Sequence, residues 1–99
     1  MVIIEIVEFR TLPETTAEAL EQALSELDRE LELIGGFQSR TLYCEADSEG
    51  CWILDYRWDT LLQAQESMGK VAGTAAFGKV MALVAEPESM RIRCGVPAT

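Results

Sequence analysis

The chain has 99 residues and a mass of 11.0 kDa, one domain that hides roughly 65% of its unfolded surface on folding and so needs neither disulfides nor a structural metal. A composition of 48% hydrophobic and 25% charged residues excludes disorder, and 17 acidic against 8 basic side chains, a net charge of −9, argues against nucleic acid and anionic membrane surfaces as partners. Histidine is absent, which removes Ser-His-Asp triads, Cys-His pairs and His-ligated zinc or haem.

No apolar run is long enough to span a membrane, and the start, Met1-Val-Ile-Ile-Glu-Ile-Val-Glu, has no basic leader region. The expected compartment is the cytoplasm, where the three cysteines stay reduced. Val2 to Phe9 is rich in β-branched residues and reads as a strand. Val2, Ile4 and Ile6 fall on one face and Ile3, Val7 and Phe9 on the other, so both faces are apolar and both need cover. Thr15, with Glu18 three positions on, predicts a helix start. Ala17, Leu20, Leu24, Leu27, Leu31 and Ile34 then form one amphipathic stripe, and Gly35-Gly36 ends it.

Phe37 to Glu45 and Cys51 to Trp58 predict a hairpin around Asp47-Ser-Glu-Gly50. A regular register would set Phe37 against Trp58, Tyr43 against Trp52, and Arg40 against Asp55 on the other face. Thr60 opens a second helix through Leu61, Leu62, Ala64, Gln65 and Met68, weakened at Gly69 and Gly73. A further piece from Thr74 carries Phe77, Val80, Met81 and Val84 until Pro87. Met90 to Val96 is the last strand, with Met90, Ile92 and Cys94 opposite in facing to Arg91 and Arg93. The order is β-α-β-β-α-β over a single domain, residues 1–99: an α+β, ferredoxin-like fold with a four-stranded antiparallel sheet. Two helices cover one face of such a sheet, and a second copy of the chain is the simplest cover for the other.

In Ile6-Val-Glu-Phe-Arg-Thr-Leu-Pro13, Gly36-Phe37, Trp52-Ile-Leu-Asp-Tyr-Arg-Trp58 with Asp59-Thr60, and Thr74-Ala-Ala-Phe77, the chain resembles the dimeric α+β barrel superfamily. The resemblance spans nearly the whole chain and is closest to small antibiotic-biosynthesis-monooxygenase-like (ABM) proteins. It implies a homodimer through the sheet face, a ligand pocket between the sheet and the broken helix, and cofactor-free oxygenation of a flat aromatic molecule. The alternative is a non-catalytic dimeric module, since this superfamily houses many activities. The asparagine, tryptophan and histidine of its haem-degrading members fall near Glu8, Ser67 or Met68, and Met81 here. None matches, so no haem, metal or other cofactor is expected.

For a pocket of that kind, Glu8 is the candidate acid or base if buried, and a solvated strand end if not. Tyr56, Trp58, Phe77 and Met81 are the candidate ligand contacts, although core packing accounts for such side chains equally well. A cavity of about 300 Å³ or more would favour a ligand, and a filled core the module. Asp55, Arg57 and Arg40 read as a paired band on the opposite sheet face. Cys44, Cys51 and Cys94 are expected at one end of the sheet as inert thiols, too few for a zinc site. Met68, Met81 and Met90 read as packing residues. The acidic run Glu18, Glu21, Glu26, Asp28, Glu30 and Glu32 reads as a solvated helix face.

Overall fold

In the computed structural model, which describes residues 1–99, the β-branched opening run forms β1 (Ile3–Thr11). The leucine stripe forms α1 (Ala17–Ile34), burying Leu20, Ala23, Leu24, Leu27 and Leu31. Its N-cap is Thr16, whose hydroxyl accepts from the Ala19 amide at 3.1 Å, one residue later than predicted. The Thr15 amide is already used, donating to the Leu12 carbonyl in the turn around Pro13. Gly35 and Gly36 both take positive φ, which ends the helix and reverses the chain. At φ 84° any side chain on Gly36 would be strained, and a Cβ there would also displace the Gln63 amide.

The hairpin follows as β2 (Phe37–Cys44) and β3 (Cys51–Trp58). Phe37 pairs with Trp58 as predicted, but a bulge between Phe37 and Ser39 shifts the rest of the ladder by one. Arg40 therefore lies opposite Tyr56 rather than Asp55, and Tyr43 lies opposite Ile53 rather than Trp52. The extra residue, Gln38, donates to the Asp59 carboxylate at 2.6 Å.

Thr60 caps α2 (Leu61–Val71), accepting from the Gln63 amide, and Thr74 caps α3 (Ala75–Met81), accepting from the Phe77 amide. The break thus lies at Ala72–Thr74, and Gly69 continues α2 without interruption. Val84 is not helical: Val84–Ala85 form a two-residue strand, β4, on Arg10 and Thr11. Glu86, with φ 50°, turns into a 3₁₀ segment at Pro87–Ser89. The chain then pairs again with β1 as β5 (Arg91–Gly95), along Ile4 to Glu8.

The antiparallel sheet runs β2-β3-β1, with β4 and β5 sharing the free edge of β1. It has five strands where four are predicted, because Pro87 and its 3₁₀ turn divide the edge strand. Ile3, Val7, Phe9, Trp52, Leu54, Tyr56 and Trp58 face the helices and form the core with the α1 leucines. Ile4, Ile6, Ile53 and Asp55 face the other way, where no element of this chain covers them.

Candidate functional site

Strand alternation places Glu5 on the most apolar face of the molecule, between Ile3 and Val7. It pairs across the sheet with Tyr56 on one side and Cys94 on the other. The residue is only 7% exposed. The fully buried Trp58 indole donates to its carboxylate, Nε1 to Oε1, at 3.1 Å. Burial pushes the Glu5 carboxyl above its ordinary range, and the Trp58 hydrogen bond only partly opposes this.

Glu5 is the one carboxyl of a small, partly open apolar cavity of about 70 Å³ between the sheet, α1 and the α2–α3 pair. Tyr56, Trp58, Phe77 and Met81 line it together, as do Ser67 and Met68. Phe37 packs edge-on against Trp58 and Tyr56, with centroids 5.7 and 6.2 Å away, and fixes the two rings. Burial raises the Tyr56 phenol, with the nearby Asp28 carboxylate adding to the effect. Ser67 is satisfied, donating to the Ala64 carbonyl at 2.8 Å. Trp52 shares the face but lies at the far end, donating to the Thr11 hydroxyl at 2.9 Å.

Glu8 is not part of this cavity. Its even position turns it to the uncovered face with Ile4 and Ile6, where its side chain is 36% exposed and pairs with Arg93 at 3.1 Å. The position that does reach the aromatic rings, Glu5, is legible in the same strand: it is the lone charge in the Ile3, Val7, Phe9 set.

A second hollow, of about 650 Å³, runs between α2 and β5, lined by Leu61, Gln65, Met68, Ile92, Cys94 and Val96. Glu5 and Met68 border both it and the inner cavity. The Cys94 thiol is raised by partial burial and by the negative Glu5 beside it. It lies five pairs along β1 from Cys51, since Glu5 pairs Cys94 and Arg10 pairs Cys51. The three cysteines therefore do not gather at one end, and all are free. No group of three or more Cys, Asp and Glu side chains is arranged to hold a metal ion.

Arg40 leaves the expected band with Asp55 and Arg57. The bulge turns it inward, where its side chain is 5% exposed and holds Asp28 at 2.8 Å and Glu21 at 2.7 Å on α1. The guanidinium forks onto both carboxylates. The pair raises the arginine and lowers Glu21. Part of the acidic run on α1 thus clamps the helix to the sheet rather than facing water. Asp55 and Arg57 do remain together on the uncovered face, at 3.6 Å, with Asp55 Oδ1 buried and without a partner.

Helices on one face of an antiparallel sheet, in the order β-α-β-β-α-β once α2–α3 and β4–β5 are each taken as one broken element, define a ferredoxin-like α+β protein. The fold is that of antibiotic biosynthesis monooxygenase structures, as the resemblance implies. A Bordetella bronchiseptica protein named only by inference as an antibiotic biosynthesis monooxygenase superposes with a TM-score of 0.81 at 14% identity, over 99% of this chain and 98% of its own. SnoaB from Streptomyces nogalater, described as a cofactor-independent oxygenase, gives 0.74 at 11% identity, over 99% and 94%. Rv0793 from Mycobacterium tuberculosis gives 0.69 at 21% identity, over 100% and 97%. No family model matches the sequence, and no curated protein matches it either.

Proposed function

We propose that the chain binds a flat aromatic molecule with an acidic hydroxyl or ring methylene in the sheet–helix cavity, and oxygenates it without metal or haem. The observation that carries this reading is Glu5, a desolvated carboxyl with a raised pKa among aromatic rings. It replaces Glu8 as the base. The likeness to SnoaB, a cofactor-independent oxygenase, supports the reaction class. Tyr56, Trp58, Phe77 and Met81 hold the ring system flat.

Glu5 takes the ring-methylene proton, and the resulting carbanion forms a carbon–oxygen bond with O₂. Glu5 returns its proton to the peroxide, and loss of water leaves a carbonyl. One oxygen atom ends in the carbonyl and the other in water, and the ring methylene supplies all four electrons. No external reductant is consumed. The working unit is a homodimer closed over the uncovered sheet face, where exposed Ile4, half-buried Ile6 and Ile53, and the unpartnered Asp55 oxygen support a second copy.

Oxygen uptake with anthrone, a flat tricyclic ketone with an acidic ring methylene, tests this. The wild type is expected to exceed the spontaneous rate, and Glu5→Gln to lose about 100-fold or more of that excess. An unchanged Glu5→Gln rate removes Glu5 as base. The small interior volume favours a second reading, a non-catalytic dimeric module: no uptake and no binding by the wild type would establish it.

A further inference from the structure

We infer that the ligand site is composite: a ring system enters the inner cavity past Met68, and an apolar extension of the same molecule lies in the groove between α2 and β5. The inference rests on the cavity reading above and adds the shape of the ligand. A dry engineered cavity of about 150 Å³ holds a single benzene ring, and the inner space here is about 70 Å³. A fused ring system therefore needs the space widened, and of the two side chains that border both it and the open groove, Glu5 and Met68, the exposed one is Met68, 41% exposed on α2. Methionine suits a movable partition, being unbranched and adaptable. The adjoining groove, at about 650 Å³, falls within the range of small-molecule sites.

Its apolar walls, Leu61, Ile92 and Val96, take hydrocarbon, and Gln65 and Arg93 bring polar ends to it. Glu5 borders both spaces, so a molecule crossing from one to the other passes the carboxyl. The ligand class is a fused-ring phenol carrying an alkyl or acyl chain, not a bare ring.

Naphthol and a naphthol bearing a hexyl chain, titrated against tryptophan fluorescence, test this. The hexyl compound is expected to bind the wild type about tenfold or more tightly than naphthol, from the methylenes it buries. Ile92→Glu, a change at a half-exposed position of β5, should abolish that gain and leave naphthol binding unchanged. Alkylation mapped by mass spectrometry should show the hexyl compound slowing modification of Cys94 and sparing that of Cys44, which lies outside the groove. Naphthol binding with no gain from the chain and no protection of Cys94 would overturn the composite site and leave the cavity reading standing. Failure of the two compounds to compete would also overturn it, by showing two separate sites. Binding of neither compound would overturn both.

Discussion

Replacing Trp58 with phenylalanine removes the only hydrogen bond recorded at the Glu5 carboxylate and little else of the core's shape. A hydrogen bond to a charged group contributes about 1.5–3 kcal/mol. Shrinking a fully buried side chain adds about 1 kcal/mol. With Glu5 ionised the expected cost is therefore about 2.5–4 kcal/mol, enough to lower Tm by roughly 10 °C or more in a chain this size. The same substitution should cost less in acid. Once Glu5 is protonated the lost bond is a neutral one, worth about 0.5–1.5 kcal/mol, so the penalty falls by about 1–1.5 kcal/mol. Urea unfolding followed by far-ultraviolet circular dichroism, which does not depend on the missing indole, reads both conditions. An equal loss at every pH from about 4 up to about 9 would show that the indole does not support the ionised carboxylate, and the electrostatic account of the cavity would fall with it.

Glu5 itself sets a second expectation. Its folded pKa is raised above the ordinary 4.5, so its contribution to stability is full below that value and is lost as pH rises through the raised one. Glu5→Gln, which keeps an acceptor for Trp58, should be close to wild type in acid and more stable near pH 7 by urea titration; a less stable variant near pH 7 would contradict the desolvation argument. Arg40→Ala strands Asp28 beneath the sheet edge and should cost about 2–4 kcal/mol, with Arg40→Lys intermediate because it loses the fork. A cost under about 1 kcal/mol would place the cluster among ordinary surface pairs. Sedimentation at micromolar concentration should return about twice 11.0 kDa, and a species near 11 kDa would refute the dimer.

Helix α1 and the hairpin were legible because leucine spacing and β-branched runs are strong, local signals. The faces of β1 were legible too, since alternation is exact within a single strand. The sequence points to Glu8, the last acidic residue of the strand, as the base; parity with Ile3, Val7 and Phe9 instead puts Glu5 on the covered face. Arg40 departs from its expected partner Asp55 for a different reason. A bulge inserts one residue and exchanges the two faces beyond it, and nothing in Gln38-Ser39 marks that exchange. Val84 carries helical spacing from Val80 and Met81, yet pairs with Thr11 because the edge of β1 offers it a ladder. The position of Cys94 depended on where β5 starts along β1, which the divided edge strand decides.

That divided edge makes the sheet unequal in local stability. Strand β3 is paired along both sides, whereas β5 has one neighbour, and four of its five residues are exposed. Unzipping β5 gives up five pairs and little burial, and the 3₁₀ segment at Pro87–Ser89 separates it from β4. Amides of Arg91–Gly95 should therefore exchange with solvent by a local opening, far below the free energy that protects β1 and β3. Each such opening uncovers the Cys94 side of Glu5, so the carboxyl buried most deeply in the fold is also the one that its least stable strand can wet.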